Sequence, residues 1–389
     1  MDLKKRSMLK LIDRSRRAEG RVRTNPLVAA GLMKNGSWLA KDHHPRYGKK
    51  HAEARLLSSA KNLGISFQDA TLYTTLEPCI HPGKTSACLD RLVEEGIERV
   101  VISVSDPHPA VNAGGIRALK NLNVDVEVGI GADAYRWVNR AYFYGVKTGY
   151  PWLDVKWAVS ADGYIAPQSG ESRWITGDQS RAAGHRIRSR VDAVMVGANT
   201  LRQDNPRLTD RVTDRGHQPD ALIVARDPSK LPTDCELFKN RREKTLVIVP
   251  RSMETTPTEL EKMGVRFIYS TMRNNRYDWE TLLPRLRKHG YGRILAEGGG
   301  LLCGSLVEAG RACEIHGFYS GRMFGKGTKS LQFTHPAKEV RQAPTARLLQ
   351  AESLGEDVYV HRLGTTVDDF YQAYSAWFTG QNQYEKEGC

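Results

Sequence analysis

The chain has 389 residues, a 40% hydrophobic fraction and 58 Lys and Arg against 44 Asp and Glu, for a formal net charge of +14. Domains usually run on the order of 100–200 residues, so this length points to two, and no apolar run of about 18 residues exists to form a transmembrane helix. Six cysteines without a secretion signal argue against a disulfide framework, and the basic start lacks a signal-peptide apolar core, so a cytoplasmic location is expected.

Residues 7–19 read as a basic helix. Residues 27–33 and 37–40 flank Asn35-Gly36 as strands flank a hairpin turn. A helix is expected over 51–63, where Leu56, Leu57 and Ala60 share a face, then a strand over 70–75 and a helix over 86–95 closed by Gly96. Strand 99–105, helix 115–121, strand 124–128 and one helix over 134–148 follow. Gly149 and Pro151 then punctuate the chain before a strand starting at Leu153. The boundary falls there, giving domains 1–147 and 148–365 and a polar tail, 366–389, of no evident role. Further strands are expected over 193–197, 221–225, 245–250, 265–269 and 293–296, the last running through Gly298-Gly299-Gly300 into a helix over 302–309. Strands alternating with helices make both halves layered α/β domains. The basic residues are dispersed, which fits solvated surface and phosphorylated metabolites better than nucleic acid.

Two groups of residues carry chemistry. In the first, His51-Ala52-Glu53 opens a helix, Pro78-Cys79 follows a strand, and Cys88 starts the next helix. One histidine and two cysteines match a catalytic zinc site, which keeps three protein ligands and a water. Zinc lowers the pKa of that water to about 7, and Glu53 is the candidate acid/base beside it. Singly, a histidine is most often a satisfied polar residue and a cysteine a small core residue. The order H-x-E then P-C on a strand-helix frame favours a site, although eight residues separate the cysteines where nucleobase deaminases carry P-C-x-x-C. In the second group, a Gly-Gly-Gly turn between strand and helix can bring backbone N–H groups to a phosphate. It is a weak signal alone, and it is not the G-x-G-x-x-G fingerprint of a Rossmann fold.

The run Thr24-Asn25-Pro26, His44, His51-Ala52-Glu53, Thr75-Leu76-Glu77-Pro78-Cys79 and Cys88, with Asp106-Pro107-His108-Pro109, resembles the bifunctional riboflavin-biosynthesis deaminase/reductase family. Lys156-Trp157-Ala158, the stretch from Ser172 to Thr176, Asn199-Thr200, Asp204 to Thr209 and Glu297-Gly298 resemble its reductase half. The resemblance implies a cytidine-deaminase-like three-layer α/β/α domain followed by a dihydrofolate-reductase-like α/β domain. It implies zinc on His51, Cys79 and Cys88, proton transfer by Glu53, and Asn25, His44, Lys84 and Thr85 around a 2,5-diaminopyrimidinone carrying a phosphoribosylamino group. In the second half it implies substrate contacts from Ser172, Arg188, Leu208, Arg211 and Glu297. Ala158, Trp174, Thr200, Asp204, Gly299, Gly300, Leu301, Leu302, Cys303, Gly304 and Ser305 would contact NADPH, with Lys156 beside the reacting sugar carbon. A homo-oligomer is implied as well. Arg226, just past a strand where the family has a small polar or acidic residue, is a candidate partner for the NADP 2′-phosphate, against the plainer reading of a solvated arginine.

The chain departs from the family pattern at Leu27 to Gly31, at Ser86-Ala87, at Gly299-Gly300, at Ala312-Cys313 and at Gly321-Arg322. These departures motivate a second reading, a paralogue acting on a related pyrimidine intermediate. The net charge with a zinc motif motivates a third, a tRNA-editing deaminase, against which the cysteine spacing and the second domain both speak.

Overall fold

The computed structural model describes residues 2–80, 88–111, 113–171, 174–213, 215–254 and 259–367. The chain divides into two compact units between Gly149 and Tyr150. No helix among the described residues is long and apolar enough to cross a membrane. Lys84, Thr85, Ser172 and most of the tail, all singled out from the sequence, lie outside the described residues.

The first unit runs α1 (Leu3–Ser15), β1 (Ala29–Lys34), β2 (Ser37–His43), α2 (Ala52–Asn62), β3 (Thr71–Thr74), α3 (Cys88–Glu94), β4 (Arg99–Ile102), α4 (Gly114–Asn121), β5 (Asp125–Val128), α5 (Ala132–Val138) and α6 (Arg140–Thr148). Its sheet has the order β2-β1-β3-β4-β5. β3, β4 and β5 are parallel, and β1 is antiparallel to both neighbours. The β1–β2 turn uses Asn35 and Gly36 at positive φ, as a tight hairpin requires. Alternate residues Ala30, Leu32, Leu72, Val100 and Ile102 face α2, α3 and α4 in one core. On the other face α1 packs against β1, β2 and β3 with Met8, Leu11 and Ile12 buried.

One expectation is corrected here. Residues 134–148 form two helices rather than one, broken at Asn139 (φ −99°, ψ 19°). The break has a polar cause that apolar spacing does not carry. Asn139 Oδ1 accepts from the Leu27 N–H at 2.7 Å and Nδ2 donates to the Leu27 carbonyl at 3.1 Å, tying the helix junction to the strand approach.

The second unit begins with β6 (Trp152–Val159), β7 (Tyr164–Pro167), α7 (Asp178–Arg188), β8 (Ala193–Gly197), α8 (Ala198–Asp204), β9 (Asp220–Val224), α9 (Glu236–Asn240) and β10 (Thr245–Pro250). It continues with α10 (Glu259–Lys262), β11 (Arg266–Ser270), β12 (Met272–Arg273), β13 (Arg276–Tyr277), α11 (Trp279–Lys288), β14 (Arg293–Glu297), α12 (Gly300–Glu308), β15 (Glu314–Tyr319), β16 (Gly327–Lys329), β17 (Ala346–Leu354) and β18 (Asp357–Gly364). The main sheet has the order β11-β10-β9-β8-β14-β6-β15-β18-β17. Its first seven strands are parallel, and β18 and β17 form an antiparallel hairpin at the edge. Parallel strands buried on both faces read as continuous apolar runs, as β8 and β10 do. Val194, Val196, Ile223, Val247, Val249 and Leu295 form the core with Leu201 of α8, Leu237 and Phe238 of α9 and Leu260 of α10.

Candidate active sites

In the first unit the chain brings the predicted zinc residues together. His51 is the N-cap residue of α2, Cys88 is the first residue of α3, and Cys79 lies in the loop after β3. His51 Nδ1 is 3.5 Å from the sulfur of Cys79 and 3.5 Å from that of Cys88. The Cys88 backbone N–H donates to Cys79 Sγ at 3.4 Å. The Cys88 thiol, the His51 ring and this N–H together hold the Cys79 thiol down to about 4 against the opposing effect of burial. The Cys88 thiol is pushed up by its bond to Cys79 and by burial, while the bond to Cys79 raises His51. Two sulfurs and one nitrogen converging in this way suit a single thiophilic ion.

Glu53, one residue into α2, is 3% exposed, and burial raises its pKa. Thr74 Oγ1 donates to its Oε1 at 2.9 Å, which fixes the carboxyl beside the sulfurs. The ring of His44 sits edge-on to His51 at 5.7 Å. Its Nδ1 faces the Lys50 carbonyl at 3.1 Å, and its Nε2 is buried with no hydrogen-bond partner among the described residues. Asn25 is half-buried, with its backbone N–H on the Val22 carbonyl.

Glu77 was not given a role by sequence reasoning. Its carboxylate accepts from the Asp106 N–H at 2.9 Å and the Ile116 N–H at 3.0 Å, joining the cysteine loop to the loop after β4 and to α4. The contact is close enough that a Cβ on Gly115 would meet the Pro78 carbonyl at 2.3 Å. Its place inside Thr-Leu-Glu-Pro-Cys was the available signal.

In the second unit a cavity of about 760 Å³ opens beside the ends of β6, β8, β9 and β14. Lys156, Ala158, Arg188, Thr200, Asp204, Leu208, Arg226, Glu297, Gly299, Gly300, Leu301, Leu302 and Ser305 all line it. Trp174, Arg211, Cys303 and Gly304 do not. Gly298 and Gly299 take positive φ (64° and 74°) between β14 and α12, where side-chain-bearing residues are strained. Gly300 and Gly304 let α12 press on the following chain. A Cβ on Gly300 would lie 2.3 Å from the Lys329 carbonyl, and one on Gly304 2.5 Å from that of Gln332.

At the inner end of the cavity, Glu297 grips Arg188 through two bonds, Nε to Oε1 at 2.5 Å and Nη2 to Oε2 at 2.6 Å. Despite burial, Arg188 and then Lys156 hold the Glu297 carboxyl down to about 2. Lys156 Nζ is 3.9 Å from Glu297 Oε2, and burial lowers its pKa. Arg211 packs on His185, its Nη2 3.2 Å from Nε2 and its backbone N–H 3.3 Å from Nδ1. Burial, with Arg188 and Arg211 adding to it, lowers His185 to about 4. Arg202, Lys230 and Arg276 also line the cavity with Arg226, Lys230 pairing with Asp227 and Arg276 with Glu308, and none of those three was picked from the sequence. Arg276 arrives on the short hairpin β12–β13, which carries no motif.

Residues 151–360 match the family model described as the RibD C-terminal domain, and residues 1–104 match the cytidine and deoxycytidylate deaminase zinc-binding region. The riboflavin biosynthesis protein RibD of Actinobacillus pleuropneumoniae is 34% identical over 353 residues, 90% of this chain and 93% of that one. The chain belongs to the bifunctional deaminase/reductase family of riboflavin biosynthesis. The Escherichia coli RibD protein is 30% identical over 87% of this chain and 94% of its own length. A solved Thermotoga maritima structure, described as a diaminohydroxyphosphoribosylaminopyrimidine deaminase/5-amino-6-(5-phosphoribosylamino)uracil reductase, superposes with a TM-score of 0.82 at 30% identity, covering 93% of this chain and 99% of that one. As a family member the chain is a two-activity enzyme, a deaminase and a reductase, with a cytidine-deaminase-like unit and a reductase unit of the α/β class. Similarity along both units favours this reading over a tRNA-editing deaminase and over a paralogue with another substrate.

Proposed function

We propose that this enzyme deaminates 2,5-diamino-6-(5-phosphoribosylamino)pyrimidin-4-one in its first unit and reduces the ribosyl group of the product to ribityl with NADPH in its second. The observation that supports the first step is the placement of His51 Nδ1 at 3.5 Å from both cysteine sulfurs. When bound there, zinc supplies a Lewis acid that makes water nucleophilic near neutral pH. Glu53 takes the proton from that water and delivers it to the leaving amine. A carboxyl raised by burial and steadied by Thr74 is matched to both tasks. The unpartnered Nε2 of His44 is available to a polar group of the pyrimidine, and Asn25, Lys84 and Thr85 are assigned to the same substrate.

For the second step, NADPH supplies the hydride and the protein supplies orientation and charge. Ala158, Thr200, Asp204, Gly299, Gly300, Leu301, Leu302 and Ser305 line the cavity and are assigned to NADPH, whereas Trp174, Cys303 and Gly304 do not line it and are not. Arg226, in the cavity wall, is assigned to its 2′-phosphate. Lys156 is assigned to polarise the open-chain sugar imine, with Glu297 holding the ammonium in place. Arg188 has three of its N–H groups on Glu297 and the Thr209 carbonyl, so it acts mainly by fixing Glu297, while Arg211, assigned to the substrate phosphate by the family resemblance alone, sits on His185 outside the cavity lining. Ser172 and Leu208 complete the substrate set. The substrate is thus a phosphorylated pyrimidine metabolite, and the enzyme a homo-oligomer in the cytoplasm.

The test separates the two half-reactions by following ammonia release and NADPH oxidation independently. Glu53→Ala abolishes ammonia release and still reduces the deaminated intermediate. Lys156→Ala does the reverse. Should both variants keep both activities, the residue assignments fail.

A further inference from the structure

Beyond the site at His51, the described residues hold one other group with metal-ligand chemistry, Glu314, His316 and His361. Strand pairing creates it. Glu314 and His316 lie two apart on β15 and so share a face. His316 stands opposite His361 on β18, while on β6 Asp154 stands beside Glu314 and Lys156 beside His316. The three donor atoms lie within 4.8 Å of one another. Glu314 Oε2 is 2.8 Å from His361 Nε2 and 3.8 Å from His316 Nε2. Ligands about 2.1 Å from a tetrahedral ion sit about 3.4 Å apart, between those two values.

The decisive atom is His316 Nε2. The ring is held from its far side, with Nδ1 2.8 Å from the Tyr359 hydroxyl, and it stacks on His361 at 4.5 Å. That leaves Nε2 buried without a hydrogen-bond partner among the described residues, 3.8 Å from Glu314 Oε2 and 3.9 Å from Asp154 Oδ1. His316 is 4% exposed, and Glu314 and Asp154 are fully buried. Arg293 serves both carboxylates, at 2.7 Å and 3.2 Å to Asp154 and 3.3 Å to Glu314. A buried unpartnered nitrogen aimed at two carboxylates is costly, and a cation bound among them relieves it.

We propose that Glu314, His316 and His361 form a divalent-metal site that takes Zn2+, with Asp154 within reach as a fourth donor. Two imidazoles and a carboxylate are a donor set zinc uses, and Tyr359 and Arg293 stand where outer partners orient a ligating ring and carboxylate. The ion would pin β15 to β18 next to the strand that carries Lys156. The proposal does not depend on the zinc assignment at His51.

Cobalt separates the two sites spectroscopically. The full-length protein is loaded with Co2+ and dialysed. We expect two cobalt ions per chain, with sulfur-to-metal charge-transfer absorption from one and weaker visible bands without sulfur character from the other. His316→Gln, and independently His361→Gln, should remove one ion and the weaker bands only. Cys79→Ser/Cys88→Ser, which leaves the proposed site untouched, should abolish the charge-transfer absorption and keep one ion. Metal binding equal in wild type and His316→Gln overturns the proposal. So does a cysteine double variant that binds none, and that second outcome stands even if the histidine variants fail to fold.

Discussion

His185 shows how a neutral ring can be built into a basic pocket. It faces Arg211 and Arg188, with Asp210 and Glu297 as the nearby carboxylates, and burial with the two arginines brings its pKa to about 4. The folded protein therefore resists protonating it, whereas the unfolded chain takes the proton near pH 6.5. Its contribution is intact above pH 6.5 and is lost as pH falls from there towards 4, because over that window the unfolded state binds the extra proton. Allowing for solvent screening, the loss is about 1–2 kcal/mol. Urea unfolding at pH 7 and pH 4.5 checks this. His185→Gln should shrink the difference between the two pH values, and an unchanged difference would assign the acid sensitivity to other groups.

At the scale of elements, the junction at Asn139 offers the clearest test. Asn139→Ala leaves the N–H and carbonyl of Leu27 without their side-chain partners in a buried setting. The expected cost is about 2 kcal/mol, seen as a lower urea midpoint for the first unit, while NADPH binding is unchanged. The same junction marks what sequence patterns convey. The buried parallel strands were legible where their middles are apolar runs, and the strand expected over 245–250 is observed as Thr245–Pro250. The convergence of His51, Cys79 and Cys88 beside Glu53 was legible because their spacing is chemical. The hairpin β17–β18 was not, since no residue of β17 is fully buried and so there is no alternation to read. The N-terminus of α7 is held by Asp357, which accepts from the Gly177 N–H at 2.7 Å and Ser180 Oγ at 2.6 Å, a partner from far along the chain that no local rule reveals. Part of the cavity lining was hidden for the same reason, because Arg276 reaches it only through tertiary structure.

For the whole molecule, two units with separate cores should unfold separately. Calorimetry of the full chain should resolve two transitions. Cys79→Ser should lower only the one belonging to the first unit, on the order of 10 °C for the loss of a tightly bound ion. A single shared transition would show that the units are thermodynamically coupled.

The order of strands in the second unit has a consequence for biosynthesis. β6 is the first strand of that unit to be made, yet its two neighbours in the sheet are β14 and β15, among the later ones. At about 5–20 residues per second, a ribosome completes β14 on the order of ten seconds after β6. Throughout that interval the growing polypeptide presents a largely apolar strand, with Asp154 and Lys156 in it, whose two sheet neighbours are not yet made. Chaperone capture and codon-dependent pausing should therefore matter more to the yield of the reductase half than to that of the deaminase half, where β3 finds β1 already made.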